Sequence, residues 1–363
     1  MRDFGGGILA AAGSFTVVNM RKIVVVTPVK NEEWILERFL LVTSRFADHI
    51  IVADQQSTDA SRSICARFSK VHLISNDSPV YDEAHRQKLL FTEARRLVPG
   101  ERFILALDAD EILTADSLVA DSWKLVQTAA PGSVFYYEKP DLMPGVVACR
   151  RGQTGFPLGY VDDGAEQSGQ RIHSTRIPVR PGHARVDIAD IKFMHLAVVR
   201  PQEFRAKQRL YSMLERINGT RSLWQRLAYY SPAIYAGQLM RNAKAVPAGW
   251  LGPWLQHGID LRSFPQTELN QYNREALKLF RQHGSSSFFY DDVWDADWAQ
   301  LAESFACKEA TANNWPQIQR PSVHHNIIRC LLLLARKLRQ RQLWKREDRQ
   351  DQKSADGASV GTQ

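Results

Sequence analysis

Cysteine pairs and long apolar runs are both lacking from this sequence. The 363 residues include four widely separated cysteines, none of them in a Cys-x-x-Cys pair. A disulfide framework and a structural zinc site are therefore disfavoured, and a reducing, cytoplasmic compartment is expected. The longest apolar run near the C-terminus is Leu331–Ala335, far short of the roughly 20 residues that a membrane-spanning helix needs.

Acidic residues are lacking between Arg329 and Arg346, where seven basic residues lie. The chain has 47 Lys and Arg against 39 Asp and Glu, a net charge of +8, so this stretch carries most of the excess. The first 320 residues are close to neutral, which argues against a nucleic-acid-binding protein.

The same stretch has the pattern of a basic amphipathic helix, predicted for residues 325–349. One helical stripe contains Ile327, Leu331, Leu334 and Leu338. We expect this helix to hold the protein peripherally on the inner, anionic face of the plasma membrane. A solvated helix, or one that docks on a partner protein, is the alternative.

The two ends of the chain lack the pattern of folded structure. Residues 1–19 are glycine-rich and precede the first regular segment, so we expect them to be non-native or disordered. Residues 350–363 are polar and are expected to be a disordered tail.

Short apolar runs alternate with helix-length stretches over the first part of the folded region. The predicted strands are Ile23–Val26, His49–Ala53, Val71–Ile74 and Phe103–Leu107. The predicted helices are Glu32–Arg45, Asp59–Phe68 and Asp82–Leu97, with Asn31 and Thr58 as N-caps of the first two. This alternation predicts an α/β fold with a mostly parallel sheet and helices on both faces.

The rest of the chain is less regular. Residues 131–185 are rich in Gly, Pro and Asp and predict loops with short strands. Val186–Met194 predicts a strand that delivers His195, and Pro201 begins a helix that runs to about Ile217. We expect a helical region over residues 201–324.

Polar segments follow three of the predicted strands: Thr27–Glu32, Asp54–Asp59 and Asp108–Glu111. Sites in parallel sheets form at this edge. Asp108 and Asp110, two residues apart at the end of a buried strand, can share a divalent cation, and that cation could neutralise a phosphate or diphosphate. Alternatively, the two carboxylates cap the following helix. Glu111 lies beside them, and three carboxylates at the end of a buried strand need a counter-ion. This strengthens the cation interpretation.

Four segments follow one another in the chain: VVVTPVKNEEWILERFL, ADHIIVADQQSTDAS, DEAHRQKLL and RFILALDADEIL. Their order resembles glycosyltransferase family 2, which has the Rossmann-like GT-A fold, over about residues 21–115 and more weakly to about residue 211. The resemblance implies a catalytic domain over residues 20–200. It also implies transfer, with inversion, of a sugar from a nucleotide-diphosphate donor, with UDP expected, to a surface-polysaccharide or lipid-linked acceptor.

The resemblance also implies roles for individual residues. The positions implied for the nucleoside are Pro28, Val29, Glu32 and Asp54. Mg²⁺ or Mn²⁺ would bind Asp110, with Asp108 facing the ribose or a metal-bound water. Arg86 or Lys88 would lie near the diphosphate, although a solvated helix explains both residues equally well.

Two further segments, GYVDDGAEQSGQRIHSTRIP and FMHLAVVRPQEFRAKQRLY, resemble a bacterial subgroup of this family. An inverting transfer needs a carboxylate to deprotonate the acceptor hydroxyl. Asp163 is our first choice, followed by Asp162 and Glu166; a glycine-associated turn is the alternative.

Three residues nearer the helical region are also candidates for the site. His195 is expected to be a third metal ligand, or otherwise an ordinary packed histidine. Lys207 and Tyr211 lie one helical turn apart, so they could line the pocket or belong to a packing face.

Two other functions also fit part of the pattern. An apolar strand that ends in Asp-x-Asp resembles a haloacid-dehalogenase-like phosphatase, in which Asp108 would accept the phosphoryl group. Here, however, Ile112 stands where Thr or Val is expected, and the motif lies about 85 residues into the folded region. A catalytically inactive nucleotide-sugar binder is the second alternative.

Overall fold

A computed structural model describes residues 20–78, 82–150, 155–167, 169, 174–232, 243–267, 269–309 and 315–339. The two ends that we expect to be disordered, residues 1–19 and 350–363, lie outside the described residues. So does the last part of the predicted basic helix, residues 340–349.

The first four strands form a parallel sheet in the order β3-β2-β1-β4. Their bounds are β1 Lys22–Val29, β2 His49–Asp54, β3 Val71–Ser75 and β4 Arg102–Ala106. The connecting helices are α1 Leu36–Thr43, α2 Ser61–Cys65 and α3 Glu83–Leu97. The buried apolar residues of α1 belong to the same cluster as Val25, whereas those of α3 belong to the same cluster as Val24 and Val26. Since successive residues of a strand point to opposite faces, the two helices cover opposite faces of the sheet. The predicted strands, their parallel sheet and the helices on both faces are confirmed.

Later strands extend this sheet beyond β4 with mixed directions. Their bounds are β5 Glu111–Leu113, β6 Val134–Glu138, β7 Asp141–Leu142, β8 Ala148–Arg150, β9 Phe156–Val161, β10 Arg185–His195 and β11 Ala243–Ala245. Strand β9 runs antiparallel to both β4 and β6, and β10 runs parallel to β6. The α/β fold therefore combines a parallel half with a mixed half.

Helices form the C-terminal part of the described chain. The remaining helices are α4 Trp123–Thr128, α5 Pro201–Asn218, α6 Leu223–Tyr230, α7 Ala248–Gln256, α8 Gln271–His283 and α9 Trp298–Glu309. Residues 323–339 are also helical. Helix α5 starts at Pro201, as predicted, and ends at Asn218; Gly219 follows it with a φ of 65°, which suits glycine. No helix among the described residues has both the length and the apolar character to span a membrane.

The two predicted N-caps are wrong. Helix α1 begins at Leu36 and α2 at Ser61, so both Asn31 and Thr58 lie in the preceding turns. Asn31 has a φ of 56°, in the left-handed region that asparagine tolerates. Its Oδ1 accepts a hydrogen bond from the backbone N–H of Thr58 at 2.8 Å. The two residues therefore join the turns after β1 and β2 to each other.

Gly159 lies at a point of close packing inside the sheet. A Cβ atom on this residue would lie 2.5 Å from Cζ of Phe103 and 2.9 Å from Cβ of Phe135. Both phenylalanines are fully buried. A larger residue would therefore force the core of β4, β6 and β9 apart.

We expect Gly159→Ala to lower the free energy of unfolding by about 1–3 kcal/mol. An extra methyl group in a well-packed core forces the neighbouring side chains and backbone to move, and this movement costs free energy of that size. Gly249→Ala is the matched control, since a Cβ there would make only ordinary contact, 3.7 Å from Oδ2 of Asp116. Urea denaturation of both variants measures the difference. Equal stability of the two would contradict the close packing.

Candidate active site

A large cleft opens at the carboxyl edge of β1, β2 and β4. Its volume is about 1690 Å³. One wall consists of the turns that follow these strands, and the other consists of α5, α8 and the segment before α8. The cleft therefore lies where binding sites form in parallel α/β sheets.

The turns after β1 and β2 form a single hydrogen-bonded unit. The backbone N–H of Asn31 donates to Oγ of Ser57 at 2.9 Å, and that of Glu32 donates to Oγ of Ser61 at 2.9 Å. Pro28, Val29 and Glu32, predicted from the sequence, all line the cleft.

Asp54 is the last residue of β2 and is not among the residues that line the cleft. Its side chain is buried, and Oδ2 accepts a hydrogen bond from Nη1 of Arg62 at 2.7 Å. Oδ1 is also buried, and within the described part of the chain it has no hydrogen-bond partner. A buried acceptor without a hydrogen-bond partner costs folding free energy, which a ligand that donates a hydrogen bond would recover. The next residue, Gln55, lines the cleft.

Glu111 anchors the turn after β4. Its carboxylate is fully buried and pairs with Nζ of Lys139 at 2.8 Å and with the guanidinium of Arg176. Burial would raise the pKa of Glu111, but the charges of Arg176 and Lys139 outweigh it and hold this pKa below its ordinary range. The counter-ions that the acidic turn needs are therefore these two side chains, which sequence reasoning missed.

Arg176 also reaches the first aspartate of the Asp-x-Asp motif. Its Nη2 pairs with Oδ2 of Asp108, while its Nη1 pairs with Glu111. The backbone N–H of Asp108 donates to Oε2 of Glu111 at 3.0 Å. Asp108 is therefore held by an arginine, and Asp110 is the carboxylate of the motif that is available to a cation.

Asp110 faces His195, the other residue that the sequence suggests as a metal ligand. Nε2 of His195 lies 3.8 Å from Oδ2 of Asp110. On the other side of the ring, Nδ1 lies 2.7 Å from Oδ1 of Asp141. Burial would raise the pKa of Asp141, but its bonds with His195 and Arg150 lower it. Because an ionised carboxylate only accepts hydrogen bonds, Nδ1 donates the proton of this bond, and Nε2 is the ring nitrogen that faces Asp110.

This arrangement fits a divalent cation. A carboxylate that fixes the second nitrogen of a metal-binding histidine is a recurrent feature of metal sites. Three or more His, Cys, Asp or Glu side chains arranged to hold a metal ion do not occur together in the described residues. Mg²⁺, however, commonly takes only one or two protein ligands and completes its shell with phosphate oxygens and water.

The carboxyl of Glu32 lies near Asp110 in this part of the cleft. Burial of its carboxyl, together with the nearby charge of Asp110, raises its pKa to about 8. The charge of Lys207 and a hydrogen bond from Nε1 of Trp34, at 2.7 Å, lower this pKa but do not outweigh the first two effects. At neutral pH the carboxyl of Glu32 is therefore mainly in its acid form.

Four further residues named from the sequence divide into three that line the cleft and one that does not. Arg86, Lys207 and Tyr211 line it. Nζ of Lys207 lies 5.7 Å from the centre of the Tyr211 ring. Lys88 is exposed and is not among the residues that line the cleft, so its predicted role near a diphosphate is wrong.

Asp162, Asp163 and Glu166 lie at the opposite edge of the sheet. Because β9 is antiparallel to β4, its last residue, Val161, pairs with Phe103 near the start of β4. Asp108 is five residues farther along the chain, roughly 16 Å at the rise of a strand. None of the three acids lines the cleft. The prediction that one of them deprotonates an acceptor in the cleft is therefore wrong.

These three acids have structural roles or lie at the surface instead. Asp162 is buried between Arg95 and Arg102, whose hydrogen bonds lower its pKa against the effect of burial. Asp163 accepts hydrogen bonds from the Tyr160 hydroxyl and from the backbone N–H of Ala165. Glu166 is exposed.

Comparisons with known proteins show only partial likenesses. No protein-family model and no curated protein matches the chain. A 4-diphosphocytidyl-2C-methyl-D-erythritol synthase structure is 17% identical and covers 39% of this chain and 75% of its own, with a TM-score of 0.28. Glucosyl-3-phosphoglycerate synthase from Mycobacterium tuberculosis, in complex with Mn²⁺, UDP and glucosyl-3-phosphoglycerate, is 20% identical over 34% of this chain and 45% of its own, with a TM-score of 0.24.

A third structure, of a mycobacterial protein, is 17% identical over 33% of this chain and 42% of its own, with a TM-score of 0.26. The chain thus spans less than half the length of this protein and of the glucosyl-3-phosphoglycerate synthase. TM-scores this low carry no argument about function.

The raised pKa of Glu32 makes stability depend on pH. Between its ordinary pKa of 4.5 and about 8, the folded protein holds a proton that the unfolded chain has released, so stability falls as pH rises through this window. Glu32→Gln does not titrate and should be more stable than wild type by about 1–3 kcal/mol at pH 8. The difference should vanish towards pH 5.

Denaturation at several pH values, in a chelator, measures this difference. Glu101→Gln, at a side chain that is 73% exposed, controls for the loss of a surface carboxylate. If the curves of Glu32→Gln and wild type run parallel over the whole range, Glu32 is not held in its acid form.

Proposed function

We propose that the protein is a metal-dependent glycosyltransferase, as the resemblance to family 2 implies. It moves a sugar from a nucleotide-diphosphate donor, with inversion, to a saccharide or lipid-linked acceptor of a cell-surface polysaccharide. One observation carries this proposal: the turns after β1 and β4 line one cleft, with the Asp110–His195 pair at the turn after β4.

In this proposal Asp110 and Nε2 of His195 hold Mg²⁺ or Mn²⁺. When bound, the cation neutralises the diphosphate and stabilises the charge that develops on the leaving group. Asp141 keeps the imidazole ring of His195 in orientation through the 2.7 Å contact with Nδ1. Arg176 holds Asp108 in place, and Arg86 offers a cationic group on the same cleft wall.

The nucleoside binds at the joined turns after β1 and β2. Pro28 and Val29 supply an apolar surface there. The unpartnered Oδ1 of Asp54 can only accept a hydrogen bond. This favours a base with an N–H on its pairing edge, such as uracil, and leaves a base without that donor at a disadvantage.

The acceptor occupies the other part of the cleft, against α5 and α8. The group that deprotonates its hydroxyl belongs to the carboxylates of this cleft, since Asp162, Asp163 and Glu166 lie at the far edge. The carboxylates that line it, besides the Asp-x-Asp motif, are Glu32, Glu33, Glu37, Asp59, Glu83, Glu203 and Glu275.

Asp110→Asn should remove the effect of the cation on the donor. Wild-type protein should show a rise in Tm with UDP that depends on Mn²⁺, because ligands that bind only the folded state stabilise it. The variant should lose this rise. UDP release from a panel of UDP-sugars should fall by roughly 10²–10⁴.

Asp163→Asn is the matched control and should keep both the Mn²⁺-dependent rise and UDP release, each measured against its own unliganded protein. A variant at Asp110 that responds to UDP and Mn²⁺ like wild type would overturn the metal assignment. Loss of turnover in Asp163→Asn, with the response intact, would return that residue to the reaction.

Asp54→Asn separates recognition of the base from binding of the diphosphate. UDP affinity should fall by about 10- to 100-fold, the effect of one hydrogen bond to a charged group. Binding of inorganic pyrophosphate with Mn²⁺ should not change. Asp121→Asn, at a side chain that is 89% exposed, is the control. Equal losses for both ligands would mean that Asp54 only supports the turn, through Arg62.

A further inference from the structure

The helix over residues 323–339 packs on the rest of the protein along one face. Ile328, Leu332 and Arg336 are half-buried on this face. The guanidinium of Arg336 lies 5.7 Å from the centre of the Trp224 ring in α6. Near the start of the helix, the ring of His325 lies 4.9 Å from that of Phe289. The helix is therefore attached to the protein by a face of its own.

A second apolar stripe runs along the opposite side of this helix. Its members and their exposed fractions are Val323 74%, Ile327 54%, Leu331 60%, Leu334 54% and Leu338 50%. Spacings of four, four, three and four residues keep them on one side of a helix. Because the inner face already satisfies packing, the outer stripe is an unpartnered surface of the described chain. Continuous apolar patches of this kind mark interaction surfaces.

The charges around the stripe are all of one sign. The described part of the helix contains Arg329, Arg336, Lys337 and Arg339 and no acidic residue. Lys337 and Arg339 are exposed. In sequence, the basic run continues to Arg346 without an acid. A second copy of the chain would bring these like charges together, which opposes self-association. An anionic lipid surface satisfies both the apolar stripe and the charge.

We propose that this outer stripe binds an anionic membrane surface. The leucines and isoleucine enter the boundary between headgroups and acyl chains, while Lys337 and Arg339 contact the lipid phosphates. This proposal does not depend on the reaction in the cleft, so it stands or falls separately from the proposed function.

Co-sedimentation of the full-length protein with vesicles tests the proposal. The protein should sediment with vesicles of phosphatidylglycerol and phosphatidylcholine but not with phosphatidylcholine alone. Raising the salt from 0.1 M to 1 M shortens the Debye length from about 10 Å to about 3 Å and should release it.

Two double variants separate the apolar and electrostatic contributions. Lys337→Gln with Arg339→Gln should lower the partition coefficient by about 25-fold, since each basic residue contributes about fivefold. Leu331→Ser with Leu334→Ser should lower it on the order of tenfold for each leucine. The control is Val119→Ser with Leu125→Ser, a pair that is 86% and 40% exposed elsewhere on the surface, and it should bind like wild type.

Equal sedimentation with phosphatidylcholine vesicles and with vesicles that contain phosphatidylglycerol overturns the proposal. Binding that both helix variants retain overturns it as well. A second pair of results also overturns it: the wild-type protein stays in solution with anionic vesicles, and light scattering shows an oligomer for the wild type but a monomer for Leu331→Ser with Leu334→Ser. The stripe is then a protein interface. Unchanged Tm values for all variants ensure that losses of binding are not losses of folding.

Discussion

The buried carboxylate of Glu111 is the interaction on which the cleft depends. It lies at the point where three parts of the chain meet: the turn after β4, Lys139 after β6, and the loop that carries Arg176. Breaking one side of a buried ion pair leaves the other charge uncompensated, which costs about 3–5 kcal/mol. Because Glu111 also accepts from the backbone N–H of Asp108, it fixes the direction of the Asp-x-Asp turn. The geometry of the site is thus built on a residue that is not itself exposed to ligand.

Above this anchor, the cleft keeps a surplus of negative charge. Arg176 offsets Asp108, and Asp141 engages the ring of His195. Asp110 is left with incomplete compensation, and burial together with the charge of Asp110 raises the pKa of Glu32 to about 8. A diphosphate brought alone to this edge would meet further negative charge. The arrangement therefore makes physical sense for an anionic ligand only together with a cation, and a site for a neutral ligand would not need it.

The sequence was a good guide to the parallel half of the fold and a poor guide to the direction of later strands. Short buried runs between helices leave few topologies, so β1 to β4 and the position of Asp110 could be predicted. His195 also followed from strand periodicity. Nothing in the local pattern of Asp162 and Asp163 shows that the preceding strand runs antiparallel to β4, and that direction alone moves them to the far edge. Arg176 and Lys139 could not be found either, because their pairing with Glu111 is non-local.

The helical region is part of the site and not a separate appendage, although the sequence suggests a boundary at residues 200–201. Gln271, at the start of α8, donates to the backbone carbonyl of Lys30 at 2.9 Å and accepts from Nδ2 of Asn31 at 3.2 Å. The ring of Trp34 meets that of Phe264 edge-on, 5.2 Å between centres. These contacts join the turn after β1 to the segments that close the opposite wall. A chain cut at the apparent boundary would therefore lose the wall that α5, α8 and the segment before α8 form, and only the wall at the sheet edge would be left.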